Sequence, residues 1–558
     1  MNDIAWIKEH PLSRRQRWLL LLTAAVSSSC GLAVELLLGT LASYLVGNQA
    51  LAYGVAVGGF LAAMGLGAYL SRFVAVKGDR ATQQTQLQTA FVWVELLMAP
   101  LSALIPLALF SLFVIDGPFW IALFLGTIML GSLAGMELPL ITRLLEQDEN
   151  LKDTLSGVLA LDYAGALFGS LLLPIVLLPL LGIFPSAALI GAIPAGMVVL
   201  LSRNFPALRH WERWGWFIGL ALLIFVPFMI PLGDRLENTL YKAPVITRIQ
   251  SPYQRVVLTR QGADLRLFLD GDLQFSTLDE YRYHEALVHP ALSANIALRA
   301  KEAKQNVEGQ MSKVEFSTPD PHLAISPTET LSERPSSRHV LLLGAGDGLA
   351  LREVLKWQDV EKIVLIDLDK AVVNLAKHHP FLVQANHHSY ADPRVQVIQA
   401  DAFVTAPTLR DRFDVIIADF PDPDRDVIAK LYAQGFYQRL LTRLAPNGVF
   451  VTQASSPFFA PKAFACVAET LKSVGLNVYP YVVDVPSFGL WGFVMASYST
   501  IQPNTLELPI ATRFLNMPTM QNLFQLPKDI QLGNVEVNRL SQPVILNYQA
   551  DPRWASYD

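Results

Sequence analysis

The chain has 558 residues, more than one compact domain usually holds; 52% are hydrophobic and only 16% charged. With a mean hydropathy of +0.35, this excludes an ordinary soluble protein, in which about a quarter of residues carry charge. The net charge of −5, with no basic segment, excludes the electrostatic footprint of a nucleic-acid binder.

The charge is unevenly spread. Residues 1–234 hold 26 charged side chains and residues 235–558 hold 65, so a multi-pass α-helical membrane domain is expected over 1–234 and a soluble part beyond it. Seven apolar stretches reach the roughly 20 residues that cross a bilayer as helix: 18–46, 51–74, 90–114, 119–141, 157–180, 182–201 and 215–232. The first far exceeds the h-region of a cleaved signal peptide and is expected to stay as an anchor. Lys8, Arg14, Arg15 and Arg17 precede it, and Arg72, Lys77, Arg80, Arg143, Lys152, Arg203, Arg209 and Arg213 fill alternate loops. That pattern places the amino terminus in the cytoplasm. Seven full spans would then export the soluble part, unless one segment fails to cross, with Gly182 to Leu201 the first choice. Glu35, Glu95, Glu137 and Asp162 fall inside the spans; a charged group in hydrocarbon is costly, so they are candidates for an interior polar site of unknown role. Gly54, Gly58, Gly59, Gly65 and Gly67 are spaced for close helix contact. Cys30 and Cys466 are the only cysteines, which argues against a disulfide framework or a zinc site.

Past Leu232 the pattern turns to alternation. Strands are expected over 255–259 and 265–275, forming a small β-module (245–280), then a helix over 279–289 and a polar insertion over 293–338. From His339 the α/β signals are strong, and one α/β domain is expected over 281–500 with that insertion inside it, followed by a C-terminal extension over 501–558. Val340–Leu343 leads into Gly344-Ala345-Gly346-Asp347-Gly348, a helix over 350–356 follows, and a second strand, Ile363–Ile366, ends at Asp367. Strand, glycine-rich turn, helix, strand and terminal acid make a nucleoside-binding unit, the acid placed for a ribose diol. Further strands lead to Asp401-Ala402 and to Asp419-Phe420-Pro421-Asp422-Pro423. Ligands of parallel sheets sit beyond the strands' carboxyl ends, so Asp347, Asp367, Asp401, Asp419 and Asp422 are expected to converge and to favour a cationic ligand.

Leu269-Asp270-Gly271, Asp279-Glu280-Tyr281, Tyr283-His284-Glu285, the Gly-Ala-Gly-Asp-Gly turn with Leu351-Arg352-Glu353-Val354, Asp419-x-x-Asp422-Pro423 and Phe436-Tyr437 occur in this order. Over 245–500 the chain thereby resembles the spermidine synthases, the polyamine aminopropyltransferases. The first half, with Met136-Glu137-Leu138-Pro139, resembles the membrane domain fused to some bacterial members. The resemblance implies a Rossmann-like, methyltransferase-type fold and decarboxylated S-adenosylmethionine as co-substrate, with no metal or resident cofactor. It further implies a diamine such as putrescine as acceptor, with spermidine and methylthioadenosine as products. By position, Gln254, Asp367, Gly344 and Gly346 belong to the donor site, and Asp401 and Ala402 meet the adenine. His284, Tyr283, Asp347 and Asp422 face the polyamine, and Asp419 accepts the proton. The donor is made in the cytoplasm in this family, which places the catalytic half there, against the loop count; self-association is left open. Departures from the family pattern are Ala345 for a glycine, Phe420-Pro421 between the paired acids, Arg425-Asp426 for a Gly-Pro pair, and Phe488 for a tyrosine.

The chemistry fits these residues. An alkylammonium, with a pKa near the ~10.4 of lysine, has no lone pair until it loses a proton, and a carboxylate can take it. Asp347 would attract an aminopropyl ammonium and repel the carboxylate of ordinary S-adenosylmethionine, which disfavours a methyltransferase. The competing class is a membrane polyamine transporter or sensor whose soluble domain binds without turnover. Asp279 and Glu280 are expected to cap the helix that follows.

Overall fold

The computed structural model describes residues 12–549 except 47–48, 76, 78, 116, 147–150, 242 and 315–336. It divides into two compact units, Met1–Val245 and Ile246–Asp558.

The first unit is helical. Among the described residues, seven helices are long and apolar enough to cross a bilayer by length and composition. They are Arg14–Val46, Gln49–Ser71, Arg80–Val114, Phe119–Glu146, Leu151–Leu172 with a π-turn and a further short turn to Leu181, Ile183–Asn204 and Glu212–Leu240. Most outrun the apolar stretches, because polar residues such as the Ala81–Gln88 run form good helix without being greasy. Ile183–Asn204 has 22 residues, about 33 Å of helix, and is the most buried of the seven; length does not set it apart. The glycine expectation holds at two of its five positions: a Cβ would touch Thr127 from Gly59 and the Ser132 carbonyl from Gly67, whereas Gly54, Gly58 and Gly65 meet nothing within 4 Å.

The second unit opens with a four-stranded antiparallel sheet, β1 (Val245–Gln250), β2 (Arg255–Gln261), β3 (Asp264–Leu269) and β4 (Asp272–Ser276). The single strand expected over 265–275 is two strands. The chain reverses at Asp270 and Gly271, both at positive φ (52° and 98°), where only glycine and short polar residues are comfortable. A larger sheet follows, built from β5 (Arg338–Gly344), β6 (Val360–Asp367), β7 (Val395–Gln399), β8 (Phe413–Asp419), β9 (Leu444–Gln453), β10 (Asn477–Val485) and β11 (Gly489–Ser497). Its order is β10-β11-β9-β8-β5-β6-β7, with β11 antiparallel to both neighbours and β5 to β9 parallel. Strand periodicity sends Val340, Leu342, Val415 and Ile417 into one core and Leu341, Leu343, Ile416 and Ala418 into the core on the opposite face.

Two boundaries differ from expectation. The helix read over 279–289 runs Glu280–Val314, so the expected insertion begins as helix. Ala291, Leu292, Ala294 and Leu298 continue its apolar stripe into the core, while a charged opposite face made the segment read as polar. Residues 315–336, the rest of that insertion, lie outside the described residues. The C-terminal segment is built into the domain: Leu506, Leu515, Met520 and Leu523 join the same core. There Glu285 accepts backbone N–H groups of Arg513, Phe514 and Leu515 at 2.6, 2.8 and 2.9 Å.

Candidate active site

The glycine-rich turn links β5 to the helix Leu349–Leu355. Gly344 has φ +76°, and a Cβ there would lie 2.2 Å from the Asp419 carbonyl oxygen, so β5 and β8 can end side by side only with glycine at this position. A Cβ on Gly346 would lie 2.5 Å from the Asp367 carboxylate; the bare backbone lets that acid reach the turn. Ala345, the departure from the family's glycine, sits at φ 60°, a conformation that costs an alanine about 1 kcal/mol.

Four acids gather at these strand ends. Asp347 accepts the Leu349 N–H at 2.8 Å, and burial raises it above the usual carboxylate range. Asp367 ends β6 and accepts the Asp369 N–H at 2.8 Å. Burial pushes it up to about 7, the charges of Asp369 and Asp347 adding to the effect. Asp419 ends β8 and accepts the Tyr283 hydroxyl at 2.6 Å; burial pushes it up to about 6, with Asp347 adding and His284 opposing. Asp422, three residues on, accepts Ser455 Oγ at 2.8 Å and Gln549 Nε2 at 2.9 Å, with Gln453 Nε2 at 3.3 Å, and burial pushes it up to about 6.

His284 is the cation facing this cluster. Its Nδ1 lies 2.8 Å from both the carbonyl oxygen and Oε2 of Glu280. Burial alone would favour the neutral ring, but the Glu280 carboxylate, with Asp347 and Asp419, lifts it to about 9. Glu280 is gripped in turn by both Arg352 Nη atoms at 2.9 Å. It is therefore an ion-pair residue rather than a helix cap. Asp279 likewise turns away, accepting the Ser487 N–H at 2.6 Å and hydroxyl at 2.9 Å. Tyr283 packs against Phe493, Phe488 and Trp491 at centroid distances of 5.1, 6.2 and 6.4 Å. Phe488 thus supplies a ring where the family's tyrosine would add a hydroxyl.

Asp401 differs from the expected convergence. Its Oδ1 caps the short helix Ala402–Thr405 through the Phe403 N–H at 2.8 Å, and Oδ2 pairs with Lys430 at 2.8 Å. The cluster that faces His284 is therefore four acids, with Asp401, paired to Lys430, and the buried Ala402 beyond β7. Gln254 donates to Asp369 Oδ2 at 3.0 Å, next to Ser251 Oγ at 2.7 Å, which places it two residues from Asp367. Among the described residues no group of three or more His, Cys, Asp or Glu is arranged to hold a metal ion.

In the helical unit, Ser27 donates to Glu95 Oε1, while Oε2 is buried with no hydrogen-bond partner among the described residues. Glu137 lies within electrostatic reach of Glu95 and Asp162, three helices thus contributing one acid each. Glu35, buried on the first helix, is not among the charges acting on Glu137.

The spermine/spermidine synthase domain family matches residues 323–507. Polyamine aminopropyltransferase 2 of Ralstonia nicotianae is 40% identical over 543 residues, 95% of this chain and 97% of that protein. The polyamine aminopropyltransferase of Leptospira interrogans is 35% identical over 540 residues, 96% and 98% of the two chains. The chain belongs to the polyamine aminopropyltransferase family. Both matches are long enough to take in the helical unit of this aminopropyltransferase as well as the catalytic one. The solved spermidine synthase from Thermotoga maritima is 25% identical, covering 51% of this chain and 84% of its own, with a TM-score of 0.40.

Sequence reasoning missed several groups around Asp422 in this aminopropyltransferase. Gln453, at the end of β9, donates to the Phe420 carbonyl at 2.8 Å and touches the Tyr432 hydroxyl at 2.5 Å. Ser455 follows it at φ 61°, and Gln549 comes from the far C-terminus. The apolar run Val449–Val451 before Gln453 was the available signal: it is another strand whose end lies on the same sheet edge. Nothing local marked Gln549.

Proposed function

We propose that this enzyme moves the aminopropyl group of decarboxylated S-adenosylmethionine to a diamine, with putrescine as the fitting acceptor, and that Asp419 is the proton acceptor. The observation that carries this reading is Asp419 itself: a strand-end carboxylate raised toward neutrality, held by the Tyr283 hydroxyl and flanked by Asp347. A base poised near working pH balances availability against driving force. The acceptor ammonium gives its proton to Asp419, and the freed nitrogen lone pair attacks the propyl carbon beside the sulfonium. The C–N bond forms as the C–S bond breaks, and the bond pair stays on sulfur as neutral methylthioadenosine. Asp347 attracts the donor's terminal ammonium, and Asp422 and His284, with the Tyr283 ring, line the amine path. Asp367 and Gln254 hold the nucleoside, Asp401 and Ala402 border its adenine, and Gly344 and Gly346 let the backbone approach it.

The seven apolar helices support a multi-pass cell-membrane location, with the catalytic unit on the cytoplasmic side where the donor is made, and self-association of the chain fits this reading. Purified protein given decarboxylated S-adenosylmethionine and putrescine is expected to release methylthioadenosine and spermidine in equal amounts. Tight nucleoside binding with no release would sink the reading. Protease accessibility of the carboxyl terminus in sealed vesicles tests the side.

A further inference from the structure

The C-terminal segment reaches the acceptor site. Leu506, Leu515, Met520 and Leu523 fill the core on one face of the large sheet, and Val544 and Ile545 fill the core on the other. Between them the chain is fastened around the loop that carries Asp422. Asn538 donates from Nδ2 to the Ala429 carbonyl at 3.0 Å, accepts the Gln434 N–H at 2.8 Å and gives its own N–H to Thr470 Oγ1 at 3.0 Å; Ala429 closes the short helix Asp426–Ala429 that follows the acid loop. Residues Ile545–Gln549 then form a short helix. Ile545 is fully buried, and four residues on, one turn along the same face, Gln549 stands against Asp422.

Gln549 closes a ring of side chains. Its Nε2 donates to Asp422 Oδ2 at 2.9 Å, its Oε1 lies 3.1 Å from Ser455 Oγ, and that hydroxyl lies 2.8 Å from Asp422 Oδ1. An ionised carboxylate only accepts, so the amide must present its N–H to Asp422 and its carbonyl to Ser455. The two oxygens of Asp422 are thus held from two sides, Oδ1 from the end of β9 and Oδ2 from the C-terminal helix. Without Gln549 the carboxylate is free to turn about its Cβ–Cγ bond, a soft torsion. The ring is also short of hydrogens. Ser455 has one hydroxyl hydrogen and two acceptors within reach, and of the roughly four lone-pair positions of the Asp422 carboxylate, Oδ2 keeps one open. An ammonium brings hydrogens alone and fits that deficit.

We propose that Gln549 is a positioning residue of the amine site: acting through Asp422, it sets how tightly the acceptor is held, so the site is complete only with the C-terminal segment in place. The inference rests on the aminopropyl-transfer reading above and adds to it a residue from outside the strand ends. Among the described residues the hydrogen bonds of the Gln549 side chain go to Asp422 and Ser455, whereas Asp367 and Gln254, on the nucleoside side, are held by and to Asp369. Loss of the Gln549 amide is therefore expected to fall on the amine and to spare the nucleoside.

The test measures methylthioadenosine release by the full-length protein at saturating decarboxylated S-adenosylmethionine over a range of putrescine, for the wild type, Gln549→Met and Gln549→Asn, with calorimetric binding of methylthioadenosine alongside. Gln549→Met keeps the length and packing of the side chain and removes both hydrogen bonds; Gln549→Asn keeps the amide but stops one methylene short of the carboxylate. Both are expected to raise the putrescine KM about tenfold, the worth of a hydrogen bond to a charged group. Over the same variants kcat at saturating amine and methylthioadenosine affinity should stay within about threefold, the split that marks loss of substrate binding rather than of chemistry. A wild-type KM in Gln549→Met would show that packing alone matters and would overturn this inference. So would a parallel loss of methylthioadenosine binding, which marks a disturbed fold rather than a loosened amine site. Failure of the wild type to transfer to putrescine, seen before any variant is compared, would overturn the transfer reading and this inference with it.

Discussion

The two units of this molecule each concentrate acidic side chains, and they do so by different geometry. In the helical unit, Glu95, Glu137 and Asp162 come one from each of three helices, and Glu95 has a serine hydroxyl as its hydrogen-bond partner. In the catalytic unit, Asp367 and Asp419 end parallel strands, and Asp347 and Asp422 lie in the loops that follow such ends. Asp347 and Asp367 are fixed by backbone N–H groups two residues on, and Asp419 and Asp422 by side-chain donors. The difference lies in supply: a sheet edge delivers carboxylates in register and surrounds each with donors, whereas a helix delivers one per face and leaves its remaining lone pairs to chance neighbours. The first arrangement suits chemistry on a cation; the second is a polar site without assigned work.

Removing the charge at Asp419 is the sharpest way to break this contrast. Asp419→Asn is expected to lower kcat by about 10²–10⁴-fold, the usual worth of a general base, while donor affinity measured by calorimetry stays within a few-fold. Loss of donor binding instead would assign Asp419 to the nucleoside. Its stability effect runs the other way. The folded state holds Asp419 at about 6, above an unfolded value near 3.9. The stabilising difference is therefore present below about pH 4 and lost as pH rises through 6, so the amide should raise stability at pH 7 by on the order of 3 kcal/mol.

Next in size is Gly346→Ala. With Asp367 Oδ2 2.5 Å from the new Cβ, the carboxylate must move, and donor affinity is expected to fall by about tenfold or more through loss of a charged hydrogen bond; isothermal titration with methylthioadenosine checks this without any acceptor present. A milder perturbation is pH. Asp419 works as a carboxylate, so kcat/KM for the amine should rise with pH through about 6 and fall about tenfold per unit below it. A flat profile between pH 5 and 7 would reassign the base. The smallest effect is expected in the helical unit. Glu95→Gln with Glu137→Gln keeps size and polarity, and should leave aminopropyl transfer unaltered and shift thermal stability by no more than about 1 kcal/mol. A fall in transfer rate would show that the two acidic groups are coupled.

Legibility followed how local the cause was. The turn 344–348 and Asp367 could be read because strand, glycines, helix and acid lie within one short stretch whose spacing is dictated by the βαβ unit itself. The helix beyond 293 was misread for the opposite reason: Lys301, Glu302 and Lys304 lie exposed on it, and only the core that Ala294 and Leu298 join makes its apolar stripe meaningful. Asp401 sits at the expected edge, yet Lys430, 29 residues on, decides that its charge is balanced. Around Asp422 the donors Gln453, Ser455 and Gln549 come from three separate places in the chain.

By itself the sequence determined the division into a charge-poor helical half and a catalytic half, the βαβ nucleoside unit, and the carboxylates that an ammonium substrate requires. Those are consequences of composition and of periods of two and 3.6 residues, which act over a few turns or strands. Tertiary structure alone decided which donors and cations each carboxylate meets. A buried charge is settled by whichever groups the fold brings within about 3 Å, and in this chain those are Tyr283 for Asp419, Ser455 and Gln549 for Asp422, and Lys430 for Asp401.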